Sequence, residues 1–283
     1  MKTTTFRLET LSQALEIGTV LSFSWFRGHS RCWGSLTPAI HRPPYLGKLV
    51  EYRPDIELAI IEGFKRRAPV VSEIRLPPSS DRLGWLLLMQ HYRVPTRLLD
   101  WTKSILVALH FAVIDNQSED GELWALLPSE LNRRAGAGAG FPLVEHSKHV
   151  RFLLEEPYWA KSSGSLAEDC GFEQAPNCAL AIDPPVLFPR MAVQSSRFTL
   201  HSGATGFRQI QDVLTNPSDL VRYKIPAGRK VKLDTELRAL GITHGQLFPD
   251  LEGLARDLVD ESRVLSYFPP DPPCAAGKIE DEP

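Results

Sequence analysis

LMQHYRVPTRLLDWTKSILVALHFA, residues 88–112, is the stretch that decides the fold of this chain. A polar segment, RVPTRLLDW (93–101), separates the apolar segments LGWLLLMQHY (83–92) and SILVALHFAVI (104–114). A helix that is apolar nearly all round is usually buried. The candidate N-cap residues are Ser80 or Asp81 for the first helix and Thr102 or Ser104 for the second. We therefore predict two buried central helices joined by a polar loop.

The residues before this stretch predict a strand, a helix, a second strand and another helix. Residues 1–20 alternate and then acquire helical spacing after Thr10, a candidate N-cap. Aromatic and small residues in SFSWFRGHS (22–30) indicate a buried strand that ends at Arg27–Gly28, which places Arg27 at a strand end. Residues 51–67 then form an amphipathic helix with a basic C-terminal end. Its predicted core-facing residues are Ile56, Ala59, Ile60 and Phe64.

The second half of the chain mixes strands and helices without regular βαβ alternation. Strands are predicted in ELWALLP (122–128), AVQSSRFTLHS (192–202) and DLVRYKIP (219–226), and helices in VKLDTELRALGI (231–242), with Gly241 as its stop, and LFPDLEGLARDLVDE (247–261). This order favours an α+β fold, a single domain with a mixed or antiparallel sheet core and a helical C-terminal part. We assign residues 1–20 to a lead-in strand and helix, 20–265 to the domain, and 266–283 to a disordered tail rich in proline and acid.

Composition excludes several classes of protein. The 283 residues are 43% hydrophobic and carry a net charge of −2, which is ordinary for a globular protein and lacks the basic excess of a protein that coats nucleic acid or an anionic membrane. No apolar run is long enough to span a membrane and MKTTTFRLET lacks a signal-peptide core, so we expect a cytoplasmic protein with no membrane partner. The four cysteines show no CxxC spacing, and no metal is expected.

Polar residues between the two apolar helices allow two interpretations. The residues are Gln90, His91, Tyr92, Thr96, Arg97, Asp100 and Trp101. In the structural interpretation, Arg97 and Asp100 form an internal ion pair and Gln90 caps backbone groups. In the functional interpretation, His91, Tyr92 and Arg97 line a cleft to which Arg27 also points. Polar groups attached to buried helices must be hydrogen-bonded in either case, because an unpaired group costs roughly 1–3 kcal/mol.

Five motifs together resemble the FRG domain, a family named for its Phe/Tyr-Arg-Gly motif. They are WFRGHS (25–30), MQHYRVPTRLLDWT (89–102), LVALHFA (106–112), VQSSRFT (193–199) and LFPDLEGLA (247–255). The resemblance covers roughly residues 20–255, and the long central motif is the most specific part. The chain departs from the family at Arg93, where Gly is more frequent, and at Ser195–Arg197, where a Gly often precedes the Phe.

The resemblance implies a function in bacterial or phage conflict, as a toxin or antiphage effector. The arginine and the serine-rich strand are also similar to the layout of ADP-ribosyltransferases, which implies NAD as cofactor and an NAD cleft built around Arg27 and the loop that follows Gln90, His91 and Tyr92. By this comparison Arg27, His91 and Tyr92 are catalytic. The implied cofactor-binding residues are Arg27, Gly28, Gln90, Thr96, Arg97, Gln194, Ser195 and Ser196. No glutamate pair marks the expected acid; Glu236 and Glu252 fit solvent-facing helix positions, so Asp100 or Asp250 would have to substitute.

Two alternatives to an enzyme stay open. Arg27, Arg97, Tyr92 and Trp101 could form a non-catalytic module that recognises a phosphate-bearing nucleotide or nucleic acid. The chain could instead be a toxin that acts by protein–protein contact, with the motifs serving only the core. The expected partners are a protein or nucleic-acid target and a cognate antitoxin or immunity protein. Arg27 itself could be a buried arginine paired with Asp100 or Asp250.

Overall fold

The computed structural model describes residues 4–42, 53–138, 147–159, 178–203 and 208–265. The strands are β1 (Thr5–Arg7), β2 (Trp25–His29), β3 (Leu98–Thr102), β4 (Gly121–Leu126), β5 (Leu180–Ile182), β6 (Ser196–Leu200) and β7 (Leu220–Ile225). The helices are α1 (Leu11–Val20), α2 (Pro54–Val71), α3 (Arg82–His91), α4 (Ile105–Val113), α5 (Pro128–Arg134), α6 (Lys148–Trp159), α7 (Pro189–Val193), α8 (Ile210–Val213), α9 (Ala227–Ala239), α10 (His244–Leu247) and α11 (Leu251–Leu265). The predicted tail, 266–283, lies outside the described residues.

The strands form one sheet in the order β1-β7-β4-β2-β3-β6-β5. β1 pairs parallel with β7, and the other neighbours pair antiparallel. This mixed sheet with its helices confirms the predicted α+β class. The pairing of β2 with β3 is short, since only Phe26 and Thr102 are in register, whereas β3 pairs with β6 over five residues. The two central strands therefore separate beyond Phe26, and this separation positions the cleft described below.

The predicted central helices are both buried. Asp81 caps α3 through the backbone N–H of Gly84, and Ser104 caps α4 through that of Val107. Leu83 through Met89 are buried along α3, and α4 packs with α1 and α9 over Phe26 and the adjacent strands. Sequence periodicity thus predicts both the presence and the burial of these helices.

The close approach of α4 to the sheet depends on small residues. A Cβ at Gly28 would lie 1.8 Å from the carbonyl oxygen of Ala108 and 2.8 Å from the backbone nitrogen of Ala112. A Cβ at Gly121 would lie 2.6 Å from the carbonyl oxygen of Ala112. Because real Cβ atoms do not approach oxygen this closely, Gly28 is required by helix packing.

Three local predictions are wrong. The segment between α3 and α4 is not all loop. Residues Leu98–Thr102 form β3, in which every residue except Asp100 is buried. Arg27 is the central residue of β2 and does not end the strand. Helix α2 continues to Val71, so its last turn carries no basic residue, and the predicted core residues Ile56 and Ala59 are exposed. Glu57 is buried instead, and its carboxylate pairs with Arg97.

Within the described residues, no helix combines the length and apolar character that crossing a membrane requires.

Candidate functional site

A cleft of about 350 Å³ opens where β2 separates from β3, between helices α3 and α4. Its basic and polar lining residues are Arg27, Gln90, His91, Arg93, Asp100, Thr102, Arg190, Gln194 and Ser196. Its aromatic lining residues are Phe26, Trp101, Phe111, Phe188 and Phe198. Pockets of this size with a few converging polar groups are typical of small-molecule sites.

Arg27 reaches the cleft through the gap between the two strands. Its Nη1 donates to the carbonyl oxygen of Asp100, which has no partner on β2 because the strands have separated. Its Nε donates to Nε2 of His29 at 2.7 Å. The side chain is only 16% exposed, and burial lowers its pKa to about 10, which still keeps the guanidinium protonated at neutral pH. No residue in the described ranges accepts a hydrogen bond from Nη2.

Arg190 lines the cleft from α7. Its guanidinium carbon lies 4.0 Å from the centroid of the Phe248 ring, a cation–π contact that holds the side chain. Among the described residues, nothing forms a hydrogen bond or an ion pair with this guanidinium. Burial lowers the pKa of Arg190, and the nearby carboxylate of Asp100 opposes that effect. The cleft therefore contains a half-buried cation whose hydrogen-bond donors are unused.

Asp100 supplies the one carboxylate among the lining residues that the structure describes. One of its oxygens accepts from Nε2 of Gln90 at 2.8 Å and lies 3.8 Å from Nη1 of Arg27. Gln90 in turn accepts from the hydroxyl of Thr96 at 2.6 Å. The side chain of Asp100 is 54% exposed, so it faces the cleft without being sequestered by these contacts. The predicted capping of backbone groups by Gln90 is wrong, since both of its bonds join side chains.

His91 forms part of the aromatic wall. Its ring stacks on Phe188, with ring centres 4.5 Å apart and planes 16° from parallel. Burial and the charge of Arg190 lower the pKa of His91, so the ring is neutral at physiological pH. A neutral stacked ring offers a flat surface and one hydrogen-bond donor to a ligand.

Arg97 does not line the cleft. Its side chain is 0% exposed, and its Nε donates to the buried carboxylate of Glu57 at 2.9 Å. Its other nitrogens donate to the carbonyl oxygens of His201 and Leu153. The predicted ion pair with Asp100 is wrong, because residues three apart on a strand point to opposite faces. Arg97 thus connects α2, α6 and the end of β6 inside the core.

The other predicted site residues divide into two groups. Gly28, Gln194 and Ser196 line the cleft, although packing against α4 already explains the glycine. Thr96 is buried and acts on Gln90. Tyr92 is 56% exposed and lines a separate apolar groove beside α2, so it is not among the residues that line the cleft, although its ring contacts that of His91 edge-on at 4.9 Å. Ser195 is a turn residue with φ 48° and is not among the lining residues.

The alternative acids lie outside the cleft. Asp250 accepts from the backbone N–H of Gly253 at the start of α11, a helix-capping role. Glu252 lies 3.8 Å from Arg93, and Glu236 lies 3.7 Å from Lys232 on the surface of α9. The carboxylate that the cleft contains is that of Asp100.

Sequence reasoning missed the second arginine and a set of buried partners. Arg190 follows a stretch without a clear periodic pattern. The only sequence signal near it is the aromatic residue Phe188, two positions earlier. Phe111 was visible only as part of an apolar helix. His29 and Glu122 lie on adjacent strands 93 residues apart in sequence, so nothing local connects them.

These observations define the chain as an α+β protein with an arginine-lined, aromatic-walled cleft at a strand separation. Residues 22–121 match the family model of the FRG domain, and the chain carries an FRG domain there. The match spans β2, both central helices and the Gln90–Asp100 segment, and ends where β4 begins. No curated protein and no solved structure matches the chain significantly. In the part of the chain that the structure describes, no three His, Cys, Asp or Glu side chains group as a metal site.

Proposed function

We propose that the cleft of this FRG-domain protein binds a phosphate-bearing nucleotide. The observation that carries the proposal is the pair of cations at one opening: Arg190 with an unpaired guanidinium and Arg27 with its Nη2 unused. Burial lowers the pKa of Arg190, so its protonated guanidinium is partly desolvated, and a phosphate would supply acceptor oxygens that it does not have among the described residues. The guanidinium fork matches the geometry of phosphate.

The walls of the cleft support a nucleotide over a bare anion. Phe111, Phe188 and the neutral ring of His91 present flat apolar surfaces. Aromatic side chains stack favourably on a base or a nicotinamide ring. A ligand with a flat ring and a phosphate therefore matches both parts of the cleft.

A second candidate function is NAD-dependent ADP-ribosyl transfer. It is favoured by Asp100, whose carboxylate lies in the cleft 3.8 Å from Arg27. In this reaction the bond between nicotinamide and ribose breaks, nicotinamide leaves with the bonding electron pair, and an acceptor group on a target attacks the ribose carbon. Asp100 would stabilise the developing positive charge on the ribose. NAD is accordingly the cofactor we propose for the enzymatic form of the function.

The biological setting proposed for either function is conflict between bacteria and phages. This part of the proposal is supported by the FRG family match alone. It entails a protein or nucleic-acid target and a cognate antitoxin or immunity protein. Cell growth on induction of the wild-type protein and of Arg190→Gln tests it: toxicity that depends on Arg190 supports the proposal, and harmless expression of both proteins contradicts it.

Calorimetric titration tests nucleotide binding directly. The ligands are ADP, adenosine and inorganic phosphate, and the proteins are wild type, Arg190→Gln and Arg133→Gln. Arg133 is the matched control, because it pairs with Glu130 on α5 outside the cleft. We expect ADP to bind more tightly than adenosine, and Arg190→Gln to weaken ADP binding roughly tenfold. The proposal fails if no phosphate ligand binds, or if Arg133→Gln causes an equal loss.

Nicotinamide release tests the transfer reaction. Purified protein is incubated with labelled NAD and a cell lysate, with Arg27→Ala as the control. Release of nicotinamide and transfer of label that depend on Arg27 establish an enzyme. Binding of ADP without any turnover of NAD establishes a binding module instead.

A further inference from the structure

A buried row of polar and charged side chains lies behind the cleft. Arg27 and His29 on β2, Glu122 on β4 and Arg222 on β7 all occupy the same face of the sheet. His29 and Glu122 are directly opposite each other in the strand register. Each member contacts the next, so the row runs from the cleft to the outer strands.

The distances define a continuous chain of hydrogen bonds from Arg27 to Arg222. The Nε of Arg27 lies 2.7 Å from Nε2 of His29, and Nδ1 of His29 lies 2.8 Å from Oε1 of Glu122. The Nε and Nη2 of Arg222 lie 2.7 and 2.6 Å from Oε2 of Glu122. The backbone N–H groups of Trp33 and Gly34 also donate to Oε1. Every oxygen of this fully buried carboxylate therefore has donors.

The partners determine the tautomer of His29. Glu122 can only accept, so Nδ1 of His29 carries the proton. Arg27 can only donate, so Nε2 of His29 must offer its lone pair. A protonated imidazolium would place an N–H against the guanidinium. Burial and the charge of Arg27 lower the pKa of His29 to about 4, which agrees with this neutral tautomer.

The surroundings of Glu122 favour its charged form. Burial alone would raise its pKa, but the hydrogen bond with His29 and the charge of Arg222 lower it. A carboxylate behind a histidine fixes the ring orientation and strengthens the lone pair on the far nitrogen. That lone pair is the acceptor that Arg27 uses.

We propose that His29 and Glu122 are positioning residues that hold Arg27 in its ligand-binding orientation. The inference rests on the proposed nucleotide-binding function and deepens it. With Nε bound to His29 and Nη1 bound to the Asp100 carbonyl, Arg27 keeps one unused edge at Nη2. The side chain does not have to be ordered on binding, so less conformational entropy is lost when a phosphate arrives.

Two substitutions at one position test this inference. In His29→Gln the amide oxygen can accept from Arg27 while the amide nitrogen donates to Glu122. In His29→Leu both contacts are lost, although the side-chain volume is similar. We expect His29→Gln to bind ADP within about threefold of wild type and His29→Leu to bind at least about tenfold more weakly. His110→Leu, which removes a buried histidine outside the lining residues, should leave ADP binding unchanged.

The result that overturns the inference is an equal effect of the two variants, whether both retain ADP binding or both lose it. Histidine ¹⁵N NMR of the wild-type protein provides a test that needs no ligand and no variant. We expect His29 to be neutral at pH 6, with its proton on Nδ1. A proton on Nε2 overturns the inference even if ADP binds. If His29 has the expected tautomer but the protein does not bind ADP, the proposed function is contradicted. The hydrogen bonds of the row are then correct, but they do not position Arg27 for a nucleotide.

Discussion

Gly28 and Ala108 are in direct backbone contact, since a Cβ on Gly28 would lie 1.8 Å from the carbonyl oxygen of Ala108. Helix α4 can approach β2 this closely only because neither residue has a large side chain. We therefore predict that Gly28→Ala destabilises the protein by more than about 3 kcal/mol or prevents folding, because the displaced element is backbone. Urea denaturation of the purified variant measures this loss.

Gly63→Ala is the control for that prediction. Gly63 lies within α2, and no heavy atom would come within 4 Å of an added Cβ. We expect this variant to gain about 0.5–1 kcal/mol of stability, because alanine favours the helix. A Gly28→Ala protein with wild-type stability would show that the contact between α4 and β2 does not determine the fold.

The contrast between the two central helices and β3 shows what sequence reasoning can predict. Helices α3 and α4 were predictable because long apolar runs follow capping residues at Asp81 and Ser104. Strand β3 was not predictable, because its five residues include Asp100 and its pairing partner β6 lies about a hundred residues further along the chain. A short strand is stabilised by such non-local pairing, which local propensity does not contain.

The candidate site was predictable in part for the same reason. Arg27, Gln90, His91 and Asp100 belong to distinctive local motifs, and all four line the cleft. Arg97 belongs to the same motif but enters the core, because strand periodicity sends it to the face opposite Asp100. Arg190 comes from a separate part of the chain, so its place beside these residues depends on tertiary packing.

Arg97 is predicted to be structural. Removing it alone takes from the buried Glu57 carboxylate the guanidinium that lies 2.9 Å away, so Arg97→Met should cost about 3–5 kcal/mol of unfolding free energy. The double variant Glu57→Leu/Arg97→Met should recover much of that loss, because no charge is then left buried. Chemical denaturation of the three proteins measures both effects. A single variant as stable as wild type would contradict the assignment of Arg97 to the core.

Stability should fall as the pH decreases from about 6.5 towards 4. Burial lowers the pKa of His29 and His41 to about 4 and that of His110 to about 3, and burial also lowers the pKa of His201 well below its usual value. In this pH range these histidines are protonated in the unfolded chain but neutral in the folded protein. Each of them therefore contributes a slope of roughly 1.4 kcal/mol per pH unit to the free energy of unfolding. Their stabilisation is complete above pH 6.5 and is lost on acidification. Urea denaturation at pH 5, 6 and 7.5 measures the slope.

His110→Leu is the matched variant for the pH dependence. Neither ring nitrogen of His110 has a hydrogen-bond partner within the described residues, and the side chain is fully buried. We expect the variant to be more stable at pH 7 by about 1 kcal/mol and to show a shallower loss towards pH 5. An unchanged slope would mean that His110 does not contribute to acid sensitivity.

Asp100→Asn separates the two candidate functions. Asp100 lies close to the cleft cations, so its charge competes with an anionic ligand. In a binding module the neutral amide should strengthen ADP binding by about three- to tenfold. In a transferase the same variant should bind NAD as well as wild type or better but lose nicotinamide release. Unchanged binding and unchanged turnover would exclude Asp100 from both roles.

The central claim is that Arg27 and Arg190 together bind the phosphate groups of one nucleotide in the cleft between α3 and α4. A crystal structure of the protein grown with saturating ADP tests it most directly. We predict phosphate oxygens within hydrogen-bond distance of both guanidinium groups, with the adenine ring against the aromatic wall formed by His91 and Phe188. An empty cleft, or ADP bound elsewhere on the surface, would contradict the claim.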